Sequence, residues 1–188
     1  MATYFTSDQH FGHARIIDLC ARPFGSVQAM DEALVERWNG VVKPSDDVWV
    51  LGDFCWRSSK AVAGYLERLS GNKHLVWGNH DAEQTRKARG WASSQAYAEV
   101  VVDGRKVCLF HYGQRVWNGM RRHAVHLFGH SHGSLLGFRL VGGDGGCLDV
   151  GVDCWGYAPT TMDAILRRIR SLEPLAAADH HYQGADDE

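Results

Sequence analysis

Short runs of apolar and β-branched residues recur along the chain, and each gives way abruptly to polar residues able to bind a metal ion. Ala2-Thr3-Tyr4-Phe5-Thr6-Ser7 runs into Asp8-Gln9-His10, Val48-Trp49-Val50-Leu51 into Gly52-Asp53, and His74-Leu75-Val76-Trp77 into Gly78-Asn79-His80-Asp81. Val107-Cys108-Leu109-Phe110 leads to His111, and Val125-His126-Leu127-Phe128 to Gly129-His130-Ser131-His132. Such runs read as strands that deliver side chains onto loops at a sheet edge. Taken alone, Asn-His-Asp is ordinary turn chemistry. The arrangement that recurs at all five strand ends, an apolar run closing on metal-competent residues, is a pattern.

The intervening segments carry a helical period. After His13, Ile16, Ile17 and Cys20 share one face until Arg22-Pro23-Phe24-Gly25 breaks the helix. Met30, Leu34, Trp38 and Val41 line a second helix, with Asp31 and Glu32 placed in its first turn, where they suit the helix dipole. Ser58 or Ser59 can cap a third helix with Ala61, Val62, Tyr65, Leu66 and Leu69 on its apolar face, ended by Gly71. Strand, helix and strand in succession make a right-handed crossover unit. Ala82 to Arg89 is polar and helix-prone. Tyr97 to Val102 and Lys106 to Phe110 flank Asp103-Gly104 as a hairpin, so the sheet turns partly antiparallel in the second half. The Gly-rich stretch after Leu135 predicts another hairpin and a strand, Cys147 to Val152. Thr160 or Thr161 caps a last helix with Met162, Ile165, Leu166, Ile169 and Leu172 inward. From Pro174 the pattern stops, so one domain over 1–173 is expected, followed by a mobile tail, 174–188, that carries His180-His181. Mixed strands and helices with candidate ligands at strand ends imply two packed sheets flanked by helices, with the site in the crevice where the strands end.

Composition narrows the function classes. A chain of 188 residues, 45% hydrophobic and 22% charged, is long enough for one globular domain with a proper core. Its net charge of -2 gives no basic field of the kind nucleic-acid binders carry, although Arg121-Arg122 offers a local basic pair. Five Cys without a C-x-x-C pairing argue against a disulfide framework. Together with an N-terminus that lacks a signal pattern and no run of transmembrane length, this leads to the expectation of a cytoplasmic protein with reduced thiols and no membrane association. Cys55, two residues after Asp53, reads as a small buried hydrophobe and not as a ligand. The eleven His are the unusual entry.

The ordered set Asp8-x-His10, Gly52-Asp53, Gly78-Asn79-His80-Asp81, His111 and Gly129-His130-Ser131-His132 resembles the signature of the calcineurin-like metallophosphoesterase superfamily, most closely its small, single-domain bacterial or phage members. The chain departs from the fourth motif of many members, Gly-His, because Phe110 precedes His111. The resemblance implies a four-layer α/β/β/α sandwich. It also implies two divalent metal ions, manganese or an iron-containing pair, with Zn, Co or Ni compatible with the same ligands. Asp8, His10 and His132 would hold one ion, Asn79, His111 and His130 the other, and Asp53 would bridge them.

A phosphate ester resists hydrolysis because an anionic phosphorus centre repels an anionic nucleophile. Two metals about 3.5–4 Å apart clamp the phosphate oxygens and lower the pKa of a bridging water. His80 is left as proton donor to the leaving alkoxide, oriented by Asp81. His13, Arg22, Trp56, Tyr112 and Asn118 lie near the motifs as candidate substrate contacts. The expected function is a metal-dependent phosphodiesterase with an open site and broad specificity, acting on small phosphate esters or nucleotides. A monoesterase, a nuclease and a silent metal-binding scaffold are the alternatives.

Overall fold

The computed structural model describes residues 1–56 and 59–176. The cap offered by Ser58 and the tail beyond Ala176, with His180 and His181, lie outside the described residues. Each apolar run forms a strand. In the first half β1 (Thr3–Thr6), β2 (Asp47–Val50) and β3 (Asn72–Val76) pair in parallel, joined through α1 (Ala14–Leu19), α2 (Val27–Val41) and α3 (Ser59–Arg68). After α4 (Glu83–Arg86), β4 (Trp91–Gln95) extends the same sheet beside β3, and β10 (Thr160–Thr161) closes its other edge antiparallel to β1. The order is β10-β1-β2-β3-β4.

The second half builds a six-stranded sheet from β5 (Ala98–Val102), β6 (Arg105–Leu109), β7 (Val125–Phe128), β8 (Gly137–Leu140), β9 (Gly146–Asp149) and β11 (Pro174–Leu175), in the order β11-β8-β9-β7-β6-β5. The hairpin β5–β6 turns on Asp103 and Gly104, both at positive φ, as a tight two-residue connection requires.

Alternation along the strands sorts side chains into three cores. Val48, Val50 and Leu75 face α1, α2 and α3, meeting Ile16, Met30, Leu34, Trp38, Val62 and Leu66. Phe5, Leu51 and Val76 meet Val107, Leu109, Val125, Leu127 and Leu148 of the other sheet, and α5 (Met162–Arg170) inserts Met162, Ile165 and Ile169 into that core. The outer face of the second sheet, Cys108, Phe128 and Cys147, is covered by Trp117 and Met120 from the segment between β6 and β7. Each fully buried aliphatic side chain contributes about 1.5–3 kcal/mol.

Several elements differ from the expectation. α2 starts at Val27, capped by Ser26 Oγ accepting from Ala29 N, so Asp31 lies beyond the first turn. It is buried instead, accepting from Gly12 N and from the Tyr65 hydroxyl at 2.5 Å. The helix-prone stretch 82–89 forms only the single turn of α4, and β4 was hidden in a polar sequence, Trp-Ala-Ser-Ser-Gln. The tail does not begin at Pro174: Pro174–Leu175 pairs with β8, with Val141 N donating to Leu175 O, because β8 would otherwise leave its outer edge unpaired. For the last helix, Thr161 is the cap, its Oγ1 accepting from Ala164 N.

Register puts the site together. Thr6 lies opposite Val50 and Val50 opposite Leu75, so β1, β2 and β3 end level. Leu109 lies opposite Leu127, and Phe128 opposite Asp149, so the second sheet ends level too.

Candidate metal centre

Backbone hydrogen bonds lace the loops after these strands into one floor. Asp8 N donates to Gly52 O, His10 N to Asp53 O, Gly129 N to His111 O, and Val152 N to Ser7 O. The approach is close enough to demand glycine. A Cβ on Gly52, at φ +91°, would stand 2.6 Å from His111 Nδ1, and one on Gly129 would stand 2.0 Å from Ser7 Oγ.

Asp8, His10, Asp53, His130 and His132 all adopt left-handed backbone, with φ between 48° and 67°. Such residues cost of order 1–3 kcal/mol each and persist where the surroundings over-determine them. Five gathered at one spot mark a tightly constrained set of loops, which no residue pattern displays.

Two ligand groups result. Asp8, His10 and His132 bring ligand atoms within 4.8 Å of one another, and so do Asp53, His111 and His130. Asp53 Oδ2 stands between them, 3.6 Å from His10 Nε2 and 3.5 Å from His111 Nε2. Asn79 Oδ1 joins the second group, 2.9 Å from His111 Nε2 and 3.1 Å from His130 Nδ1. The seven residues expected as ligands are thus brought together. The rings are also aimed. His111 Nδ1 is 2.7 Å from Leu51 O and His132 Nδ1 is 2.8 Å from Asp153 Oδ2, so both donate through Nδ1 and present Nε2 inward. His10 Nε2 is buried without a hydrogen-bond partner among the described residues. An orphaned imidazole nitrogen facing carboxylates, among imidazole, carboxylate and amide donors, fits a divalent transition metal.

The electrostatics agree. Burial pushes the Asp8 carboxyl up to about 7, against the pull of His111 and His132. Burial likewise drives His10 down to about 3. Burial also opposes ionisation of Asp53, but the His111 ring, the His80 N–H at 2.8 Å and His10 hold it at about 2. His111 rises to about 9 despite burial, because Asp53 and Asp8 both act on it. His10 and His111 flank the same oxygen yet shift oppositely: burial prevails at His10, where Asp53 alone favours the charge and His132, Arg22 and His13 oppose it, whereas at His111 a hydrogen bond to Asp53 and the charges of Asp8 and Asp53 outweigh burial.

Three expectations need correcting. Asp81 does not orient His80. Its carboxylate is buried and accepts from Gly78 N, Asp53 N and Phe54 N at 2.8–3.0 Å, which pins the His80 loop to the loop after β2. Arg22 is 4% exposed and so cannot meet substrate; it pairs with both oxygens of Asp153 at 2.8 Å and donates to Asp8 O and Gln9 O. Asn118 has its amide committed to both oxygens of Glu99, on the β5–β6 hairpin.

The remaining candidates are at the site. His80 is exposed, its ring centroid 5.4 Å from that of His10 and 5.3 Å from that of Trp56. His13 stacks on Trp56 at 3.9 Å, and Tyr112 stands edge-on to His111 and His130. The residues missed were Asp153 and Asp149. Asp153 braces His132, and Asp149 accepts from Ser131 Oγ, Gly133 N and Gly151 N, holding the loop that carries His130 and His132. Their lead was weak: Asp153 follows the predicted strand Cys147 to Val152 without a neighbouring His, and Asp149 falls inside that strand.

Fold and site together define a two-sheet α/β protein with candidate divalent-cation ligands gathered at its strand ends. Comparison with known proteins gives the family. Residues 1–139 match the model of the calcineurin-like phosphoesterase superfamily domain, and the chain belongs to that superfamily of phosphoesterases. It is 30% identical over 169 residues to the uncharacterized protein MJ1445 of Methanocaldococcus jannaschii, covering 88% of this chain and 90% of that one. It is 28% identical to the Gene 66 protein of Mycobacterium phage D29, over 90% of this chain and 96% of that protein. A solved structure, the protein of unknown function AQ665 from Aquifex aeolicus, shares the fold with a TM-score of 0.69 at 24% identity, covering 89% of this chain and 99% of that one. Among the described residues no helix is long and apolar enough to cross a membrane, and all five cysteines are unpaired.

Proposed function

We propose that the protein is a phosphodiesterase working with two divalent metal ions, Asp8, His10 and His132 holding one, Asn79, His111 and His130 the other, and Asp53 shared. The observation that carries this reading is the position of Asp53 Oδ2 between His10 Nε2 and His111 Nε2 at nearly equal distances. Bound there, the ions would neutralise phosphate oxygens and make a water nucleophilic near neutral pH. The protein's own part is positioning and proton transfer. Leu51 O and Asp153 fix the tautomers of His111 and His132. Asp81, through three backbone N–H groups, holds the loop that carries Asn79 and His80. His80, exposed beside His10, is the group able to protonate a departing alkoxide. Exposure of Asn79, His80 and His130 leaves room for substituents on both ester oxygens, which favours diesters over monoesters.

The test is to strip the protein of metal, reload it with manganese, and compare bis-aryl phosphate with aryl phosphate while metal content is counted by elemental analysis. Chelation should abolish turnover and manganese restore it, with the diester preferred. Full activity in metal-free protein would overturn the reading.

A further inference from the structure

A cleft of about 350 Å³ opens beside the first ligand group, between α1 and Trp56, and His10, His80 and His132 are part of its lining. The remaining walls are largely carbon: Ile16, Leu19 and Cys20 on one side, Trp56 backed by the parallel His13 ring on the other. Leu19 is 66% exposed, so its side chain is open to whatever enters the cleft. Arg15 sets a positive charge on the rim.

We infer that this cleft receives the leaving arm of the substrate, and that the arm carries a flat, uncharged ring, an aryl group or a nucleobase. The inference rests on the phosphodiesterase reading, since His80 assigns the direction: the group that protonates the departing oxygen lines the same cleft, so what departs lies along Ile16, Leu19 and Trp56. The carbon-rich walls suit a ring more than a short alkyl chain, because a ring covers them while keeping few rotatable bonds to order. The rim Arg15 repels a cationic arm. Leu19 and Trp56 are therefore specificity-determining residues, with no part in the bond-breaking itself.

The two possible sources of the ring can be told apart on metal-stripped protein, where no turnover interferes. Saturation-transfer NMR with adenosine, benzyl alcohol and glycerol should show ring protons in contact for adenosine or benzyl alcohol and nothing for glycerol. Adenosine alone marks a nucleotide ester, and both together an aryl-tolerant site. Leu19→Glu, at an exposed position that keeps the fold, should weaken the contact. On manganese-loaded protein, Leu19→Glu and Trp56→Ala should lower the preference for a phenyl over an ethyl leaving arm by about tenfold. A uniform fall for both arms, or no ring contact by NMR with turnover intact, overturns the inference and leaves the phosphodiesterase standing. Ring contact without hydrolysis of any ester under any metal would fail the proposed function and the leaving-arm assignment together, while ring recognition survived.

Discussion

Behind Asp8, His10 and His132 lies a buried ion pair, Arg22 with Asp153, whereas behind His111 lies the Leu51 carbonyl, and the loop after His111 is held by the buried ring of His126 through Gln114 N. The first group is thus braced by charge. Arg22 grips the backbone carbonyls of Asp8 and Gln9 and hands its other face to Asp153, which holds His132. The second group is braced by packing and is open to water, with Asn79 and His130 exposed. Similar donors on different supports predict unlike metal sites: a preorganised first site that retains its ion and a second that exchanges more readily.

The largest effect should come from removing what the two groups share. Asp53→Asn takes negative charge from between both groups, so metal content should fall towards one or zero per chain. Turnover should drop by more than the roughly 10–100-fold that a supporting partner costs. Elemental analysis alongside kinetics checks it. Two retained ions with near-normal rates would remove Asp53 from the shared position.

Next is His80, which belongs to neither group. His80→Ala should keep both ions yet lose on the order of 10²–10⁴ in rate towards alkyl esters, and far less towards nitrophenyl esters, whose acidic phenol leaves unaided. A uniform loss across leaving groups would give His80 a task in phosphate binding.

The asymmetry itself is sharpened by Asp153→Asn. The amide still accepts from Arg22 but no longer stabilises a polarised His132 ring, so affinity at the first site should fall by about 10–100-fold while the second is unchanged. Metal titration that resolves two binding steps would show it. Equal weakening of both steps would erase the distinction.

These supports explain how much could be read from the chain alone. The candidate ligands could be picked out because each follows an apolar run and because ligating residue types are few, and the fold gathers them at one place. Strand pairing was legible for the same reason, as Asp103-Gly104 and the runs around it show. The bracing was not. Arg22 and Asp153 are 131 positions apart, and only the folded chain brings them to 2.8 Å. Asp81 was misread because its carboxylate is taken up by the backbone N–H groups of Asp53, Phe54 and Gly78 and not by the adjacent His80 ring. Trp91–Gln95 became a strand through pairing with β3, against its own polar composition. Left-handed backbone at five candidate ligands is likewise imposed from outside each residue.

The smallest effect on turnover near neutral pH, and the one that tests the uncharged support of the second group, concerns His126. Its ring is fully buried in β7, with Nδ1 3.1 Å from Cys108 O and Nε2 accepting from Gln114 N at 3.0 Å, and it steadies the loop just after His111. Burial drives its pKa from 6.5 down to about 4, the nearby carbonyls opposing the shift only in part. Above pH 6.5 the ring is neutral in folded and unfolded chains alike, and it contributes no pH dependence. Between pH 6.5 and 4 the unfolded chain takes up a proton that the fold refuses, so stability falls as the pH is lowered, and the loss levels off below 4. For one group shifted this far the loss amounts to on the order of 3 kcal/mol. Gln can donate to Cys108 O and accept from Gln114 N without titrating. His126→Gln should therefore flatten denaturant midpoints between pH 6.5 and 4 relative to the parent, while metal content and turnover at pH 7 stay nearly as they were. An unchanged slope would mean that His126 is protonated within the fold, and that charge braces the second group as it does the first.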